Sequence, residues 1–296
     1  MEEDQWLAEQ FEEHRGRLRA VAYRMLGSLA EADDTVQDTW LRVSRAGADD
    51  VENLGAWLTT ITARVCLNML RSRQTRREES FEGLPDPLVT PDEQSQPEEE
   101  AVLADSVGLA LLVVLDTLSP AERLAFVLHD MFKLPFDEIA PMIDRSPAAA
   151  RQLASRARRR ISGAEIPESD FDIARQRQVV NAFYQAARGG DFEALVELLH
   201  PDVVLRADFG ARRAPEVFRG REAVAGQSIR GAIPAARIIP ALVNGTAGAV
   251  ITVGGRPFTV MGFTVSEGMI AEIDAIADPE RVGRIAAAVL EGGYVD

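Results

Sequence analysis

The sequence predicts a multidomain chain: two all-α helical domains, the second holding a helix-turn-helix, followed by an α+β domain with a curved antiparallel sheet. Three observations predict it. At 296 residues the chain exceeds one ordinary domain. Up to Ile161 apolar residues recur at helical spacing. Beyond Ile166 shorter runs alternate between turn signals such as Asn244-Gly245, Gly254-Gly255 and Glu267-Gly268.

Charge is distributed unevenly behind a formal net value of -15. Residues 64–77 hold five arginines and no acid, and residues 145–160 hold six arginines and no acid. Residues 80–105 hold eight acids and no basic residue. A local basic face, not the net charge, governs binding to phosphate. An apolar share of 46% suits globular cores. The longest apolar run, VGLALLVVL, falls well short of the roughly 18 residues of a membrane span. MEEDQWLAEQ lacks the basic-then-apolar order of a signal peptide. A single cysteine, Cys66, and three scattered histidines leave no framework for a disulfide or a structural zinc site. The expectation is a soluble, cytoplasmic protein with no cofactor, no metal and no membrane partner.

The elements follow in order. A first helix is expected over 5–26, ending at Gly27, and a second over 30–45. The loop AGADDVEN leads into a third, in which Trp57, Leu58, Ile61, Val65 and Met69 face inward and Arg64, Asn68 and Arg71 project outward. Cys66 is expected to pack as a small apolar residue. The acidic, proline-rich stretch at 80–102 is expected to be an extended tether. Its segment FEGLPDPL mixes apolar residues with prolines, a pattern suited to docking in a groove. In the second helical domain, Ser119, Pro120 and Glu122 form a capping box that opens a helix carrying Leu124, Phe126, Val127, Leu128 and Met131. LPFDEIAPMI supplies a short helix with Phe136, Ile139, Ala140 and Ile143 inward. A turn at Asp144-Arg145 then precedes a helix started by Ser146 and Pro147. That helix has an apolar stripe of Ala150, Leu153, Ala154, Ala157 and Ile161, with Arg151, Gln152, Ser155 and Arg159 on the opposite face. Pro141 removes a backbone donor late in the preceding helix. Asp144 stands where glycine is common, and aspartate tolerates the left-handed conformation better than most residues.

The ordered set YRMLGSLAEADDTVQDTWLRV, AWLTTITARVCLNMLRSR, LSPAERLAFVLHDMFKLPFDEIA and SPAAARQLASRARRR resembles the extracytoplasmic-function (ECF) sigma factors, which keep only sigma regions 2 and 4. The resemblance implies region 2 at 1–79, a linker at 80–102, region 4 at 103–163 and a further domain at 170–296. It implies core RNA polymerase, through its beta and beta-prime subunits, and promoter DNA as partners. Asp34, Gln37, Asp38 and Leu41 would dock on the polymerase clamp. Asn53, Arg64, Asn68, Arg71 and Arg73 would engage the −10 element, and Arg151, Gln152, Ser155, Arg156 and Arg159 the −35 element. Opening the −10 element suits a basic helix edge with a loop, whereas the duplex −35 element suits a helix in the major groove. The linker is similar to a Trp-Leu-Pro-Glu-Pro motif of sigma factors with a C-terminal extension. Leu84, Pro85 and Pro87 carry over, while Gly83 and Asp86 depart.

The C-terminal domain is expected to have helices at 173–188, 191–199 and 220–231 and strands at 203–209, 236–243, 247–253, 257–265 and 269–277. VVNAFYQAARGGDFEALVELLHPDVVLRAD and GREAVAGQ resemble the SnoaL-like fold, related to polyketide cyclases and ketosteroid isomerases. The group with this fusion carries an Asp-Gly-Gly-Gly-Lys motif. Here Asp208 and Gly210 match, Arg212 replaces the lysine, and Phe209 and Ala211 depart. An enzymatic alternative would use Asp208 as a general base with His200 and Asp274 as partners. Against it, Arg206, Arg212 and Arg213 are expected to hold Asp208 charged in salt bridges. The expectation is a regulatory domain that is no enzyme, with a small ligand of unassigned identity left open. A polymerase-independent helix-turn-helix regulator is the other alternative.

Overall fold

The computed structural model describes residues 2–47, 51, 53–75, 83–92, 109–164, 167, 169–170, 172–210 and 213–291. The chain forms two compact units. One joins residues 1–80 with 97–107 and 111–165, and the other joins residues 81–96 with 108–110 and 166–296.

The helical unit begins with α1 (Glu2–Leu26), α2 (Leu29–Ala46) and α3 (Leu54–Thr75). Their apolar stripes meet at Phe11, Leu18, Val36, Val43 and Leu58, with Trp40 and Trp57 packed on the outside. Phe11 and Trp40 lie 5.1 Å apart in a tilted pair. Each such side chain taken fully from water contributes about 1.5–3 kcal/mol. Cys66 is fully buried, and burial pushes its thiol up to about 12, so it packs as an inert apolar residue.

Next come α4 (Leu109–Asp116) and α5 (Pro120–Phe126), the latter opened by the reciprocal Ser119/Glu122 capping box. A π-helical turn (Val127–Met131) extends α5 before α6 (Phe136–Ile139). At Pro141 the missing N–H stops the α-helix, and the chain tightens into a 3-10 turn over Ala140–Met142. Asp144 adopts φ 54°, the left-handed geometry that turns the chain into α7 (Pro147–Ser162). Phe136, Ile139, Ala140 and Ile143 are buried against Ala150, Ala154 and Ala157.

The second unit is a seven-stranded sheet in the order β1-β4-β5-β6-β7-β2-β3. The strands are β1 (Val89–Pro91), β2 (Leu199–Asp208), β3 (Glu216–Arg219), β4 (Ala236–Val243), β5 (Thr246–Val253), β6 (Arg256–Ser266) and β7 (Met269–Ile276). Three hairpins close on paired positive-φ residues, Asn244-Gly245, Gly254-Gly255 and Glu267-Gly268. That backbone matches the twist of the flanking strands. The sheet is mixed, because β2 runs parallel to β7 while the other pairs are antiparallel. Helices α8 (Ile173–Gly189), α9 (Phe192–Leu198) and α10 (Arg221–Gly231) contribute to the unit, followed after the sheet by α11 (Pro279–Ile285) and α12 (Ala287–Glu291). Phe183, Tyr184 and Phe263 meet edge-on at 5.4–5.7 Å in a core that also buries Leu195, Val203, Leu205 and Ile273. Two strands are additions to the sequence expectation: short edge strand β3, and β1, which comes from the linker. Among the described residues no helix is long and apolar enough to cross a membrane.

Candidate nucleic-acid interface and linker site

On α7 the Ser146 hydroxyl accepts from the Ala149 N–H, fixing where the helix starts. Arg151 and Gln152 lie exposed near that end, the end a helix-turn-helix presents to base edges. The Arg151 guanidinium stacks over the Phe136 ring at 5.4 Å, which restricts its swing. Arg159 is exposed and Ser155 half-buried. Arg156 is engaged: its Nε donates to Glu122 at 3.0 Å, and Arg160 reaches the same carboxylate at 3.5 Å. Burial would raise the Glu122 carboxyl, but the Ser119 and arginine contacts outweigh it and hold it below its ordinary value. Glu122 therefore caps α5 and clamps the basic helix at once. Arg158 pairs with Asp130 at 2.9 Å.

On α3, Arg64, Asn68 and Arg71 share one exposed face at helical spacing. Asn53 accepts from the Ala56 N–H at 3.0 Å and so caps α3 as well as standing in the loop. Arg73 is tied to Glu31. On α2 the inward side buries Ala32, Thr35, Val36, Thr39 and Val43. Asp34, Gln37 and Leu41 project outward, Leu41 being 44% exposed, and Asp38 pairs with Arg42 at 2.9 Å.

The second site is built around Asp208, only 1% exposed at the end of β2. Its carboxylate accepts from the Leu84 N–H at 2.8 Å, the Gly210 N–H at 2.9 Å and Arg281 Nη1 at 2.5 Å. Arg281 also donates from Nε to Asp86 at 2.7 Å and from Nη2 to the Leu84 carbonyl. Burial alone would push its guanidinium down, but the Asp86 and Asp208 carboxylates hold it above its ordinary value. Arg284 adds a 3.3 Å contact to Asp86. Beyond Pro85 and Pro87, Leu88 donates to the Asn244 side chain at 2.7 Å while Asn244 N–H donates to the Leu88 carbonyl. Val89–Pro91 then pairs with β4, and Arg177 holds Asp92 at 2.8 Å. The linker thus joins the sheet as an added strand.

The arginine that satisfies Asp208 differs from the three expected. Arg206 stands in register with Asp274 across the parallel β2/β7 pair and binds it at 3.0 Å and Glu272 at 2.8 Å. Arg213 is spent on Glu216, and Arg212 lies outside the described residues. Burial lifts the Asp274 carboxyl to about 6, against the pull of Arg206. His200 sits at the other end of β2 from Asp208, beyond the irregularity between Leu199 and Val204, and its Nδ1 accepts from Asp202 N–H. No acid/base set assembles from these residues. Sequence reasoning missed Arg281, Arg284, Asn244 and Asp86 as members of the site.

Gly210 has φ 69°, and a Cβ there would meet Asp278 Oδ2 at 2.1 Å. Asp278 caps α11, the helix that delivers Arg281. Gly210→Ala is therefore expected to destabilise the domain by about 1–3 kcal/mol, read as a lowered urea midpoint with an unchanged slope.

The sigma-70 region 2 family matches residues 10–76, and the sigma-70 region 4 family matches residues 108–161. The ECF RNA polymerase sigma factor SigJ of Mycobacterium tuberculosis (strain H37Rv) is 36% identical over 297 residues, 92% of each chain. A probable ECF RNA polymerase sigma factor SigI of the same species is 34% identical over 281 residues, covering 93% of this chain and 94% of the relative. The crystal structure of the M. tuberculosis ECF sigma factor SigJ superposes with a TM-score of 0.73 at 33% identity, covering 93% of this chain and 97% of that one. With both sigma regions matched in order and the likeness running through the C-terminal sheet, the chain belongs to the ECF RNA polymerase sigma factors, in the form that carries a fused C-terminal α+β domain.

Proposed function

We propose that the C-terminal domain regulates promoter initiation by holding the linker between regions 2 and 4 as a strand of its own sheet. The observation that carries this is the clamp of Asp86, Asp208 and the Leu84 carbonyl on Arg281, continued by the β1/β4 pairing. A linker held there is withheld from polymerase, so docking lowers output. Leu84, Pro85, Pro87, Asp208, Gly210 and Arg212 are assigned to this regulatory contact. In the cytoplasm, Asp34, Gln37, Asp38 and Leu41 would dock on the beta-prime clamp, with region 4 on beta. Asn53, Arg64, Asn68, Arg71 and Arg73 would engage the −10 element. Arg151, Gln152, Ser155 and Arg159 would read the −35 element, with Arg156 contacting phosphate only once released from Glu122. The domain is assigned no catalysis, because Asp208 is fully engaged by arginine and backbone donors. A groove of about 430 Å³ between α8 and β4, lined by Asn181, Gln185, Arg188 and Arg237, is where a small ligand would enter. Truncation after residue 164 tests the regulatory reading. The expected result is retained polymerase binding with raised promoter output at limiting factor, and unchanged output would refute it.

A further inference from the structure

One face of α8 carries Asn181, Tyr184, Gln185 and Arg188 at helical spacing, and these residues line the groove against β4. Across it, Ala236, Ile238 and Pro240 alternate along β4 and present an apolar wall, with exposed Arg237 at the rim. A volume of about 430 Å³ suits a small ligand. Within the lining lies a group that the fold leaves unsatisfied. Tyr184 is 7% exposed, and its hydroxyl is buried without a hydrogen-bond partner among the described residues. Its ring is placed by packing, edge-on to Phe183 at 5.7 Å and to Phe263 at 5.6 Å. Burial pushes the phenol above its ordinary value, so the hydroxyl keeps its proton and can donate it. A buried hydroxyl without a partner is costly to the free protein, and an incoming acceptor recovers that cost.

The charge of the groove points to an anion. Its lining holds two arginines and no acid, in a chain of formal net charge -15. Arg188 donates from Nη2 to the Ala236 carbonyl, which fixes the guanidinium across the groove and leaves its other donors for a further acceptor. Among the described residues neither Arg188 nor Arg237 has a carboxylate partner. An inorganic anion would answer the arginines but leave Ile238 and Pro240 uncovered.

We propose that this groove binds an amphipathic organic acid, its carboxylate held by Arg188 and Arg237 and accepting from the Tyr184 hydroxyl, its apolar body lying on Ile238 and Pro240. This rests on the reading of the groove as a ligand entrance and not on the regulatory role of the linker, so its test is binding and not transcription.

The probe is 2-naphthoate, followed by its fluorescence anisotropy as the full chain is added. Saturable binding with a Kd of about 1 mM or tighter is expected, the ordinary affinity of a ligand of this size. Tyr184→Phe keeps the ring contacts and removes only the unsatisfied hydroxyl. The free variant should therefore unfold at an equal or higher urea midpoint, while binding weakens about tenfold. Arg237→Gln removes an exposed charge and should weaken binding about fivefold. Neutral 2-naphthamide and inorganic phosphate each carry half of the recognised chemistry, and neither should displace the probe at about tenfold excess. Unchanged affinity in both variants places the probe elsewhere and overturns the site. Displacement by the amide as strong as by unlabelled acid overturns the carboxylate, and displacement by phosphate overturns the apolar half. If neither 2-naphthoate nor 2-naphthamide binds, the ligand entrance itself is overturned, whereas promoter output after truncation at residue 164 still decides the linker's role separately.

Discussion

Arg281→Met is expected to lower the stability of the C-terminal domain by about 3 kcal/mol or more and to free the linker. Removing one partner of a buried ion pair leaves the other charge uncompensated, a loss of about 3–5 kcal/mol. Asp208 keeps its two backbone donors, so the lower end of that range applies. The Leu84 carbonyl loses this donor in the same substitution, and Asp86 loses its Arg281 contact while keeping Arg284. Hydrogen exchange reads the two effects apart. The Leu88 and Asn244 amides, which face each other's segment, should exchange much faster even where the β4/β5 hairpin stays protected. Pairing Arg281→Met with Asp208→Asn removes the stranded charge and keeps an oxygen for Leu84, but turns the amide NH2 on the Gly210 N–H, so only part of the loss should be recovered. Recovery of stability without recovery of linker protection would separate the fold role of Arg281 from its hold on Asp86. Promoter output at limiting factor is expected to rise in Arg281→Met, because the linker is no longer withheld.

The second large effect is at α7, proposed above to read the −35 element. Arg151→Ala is expected to reduce −35-dependent output by ten- to a hundredfold, since a bidentate arginine–base contact is worth about 1–3 kcal/mol of discrimination. The signature is loss of preference between the wild-type element and a single-base variant, not uniform weakening. Arg159→Ala should weaken all sequences alike and reduce the log-log salt slope by about one. Arg156→Ala separates from both: its guanidinium is bound to Glu122, so the change appears first as loosened packing of α7 on α5.

Features set by chemistry within a few residues are legible in the sequence, whereas those set by distant partners are not. The capping box at Ser119, the start of α7 at Ser146-Pro147, the left-handed Asp144 and the three hairpins all depend on chemistry within a few residues. Local chemistry survives translation from sequence to structure. The residues proposed to face the promoter are legible as an arginine pattern, but not the fate of each arginine. Arg156 and Arg151 look alike in sequence, and only tertiary packing puts Glu122 beside one and Phe136 beside the other. The linker site was half legible. Leu84, Pro85, Pro87, Asp208 and Gly210 stand out by motif, whereas Asp86 and Arg281 are separated by 195 residues and no period connects them. β1 escaped because its strand is three residues long and ends in proline, a composition that reads as tether. The arginine expected at Asp208 was misassigned because β2/β7 register, which sends Arg206 to Asp274, is set by a parallel pairing that sequence proximity does not reveal.

The most direct test of the account is run-off transcription with core polymerase on a genomic library, run beside gel shifts of the chain alone. Transcripts from a restricted promoter class, requiring both the chain and core enzyme, are expected, with weak DNA binding by the chain alone. Equal DNA binding with and without polymerase, together with no promoter-specific transcript, would contradict it.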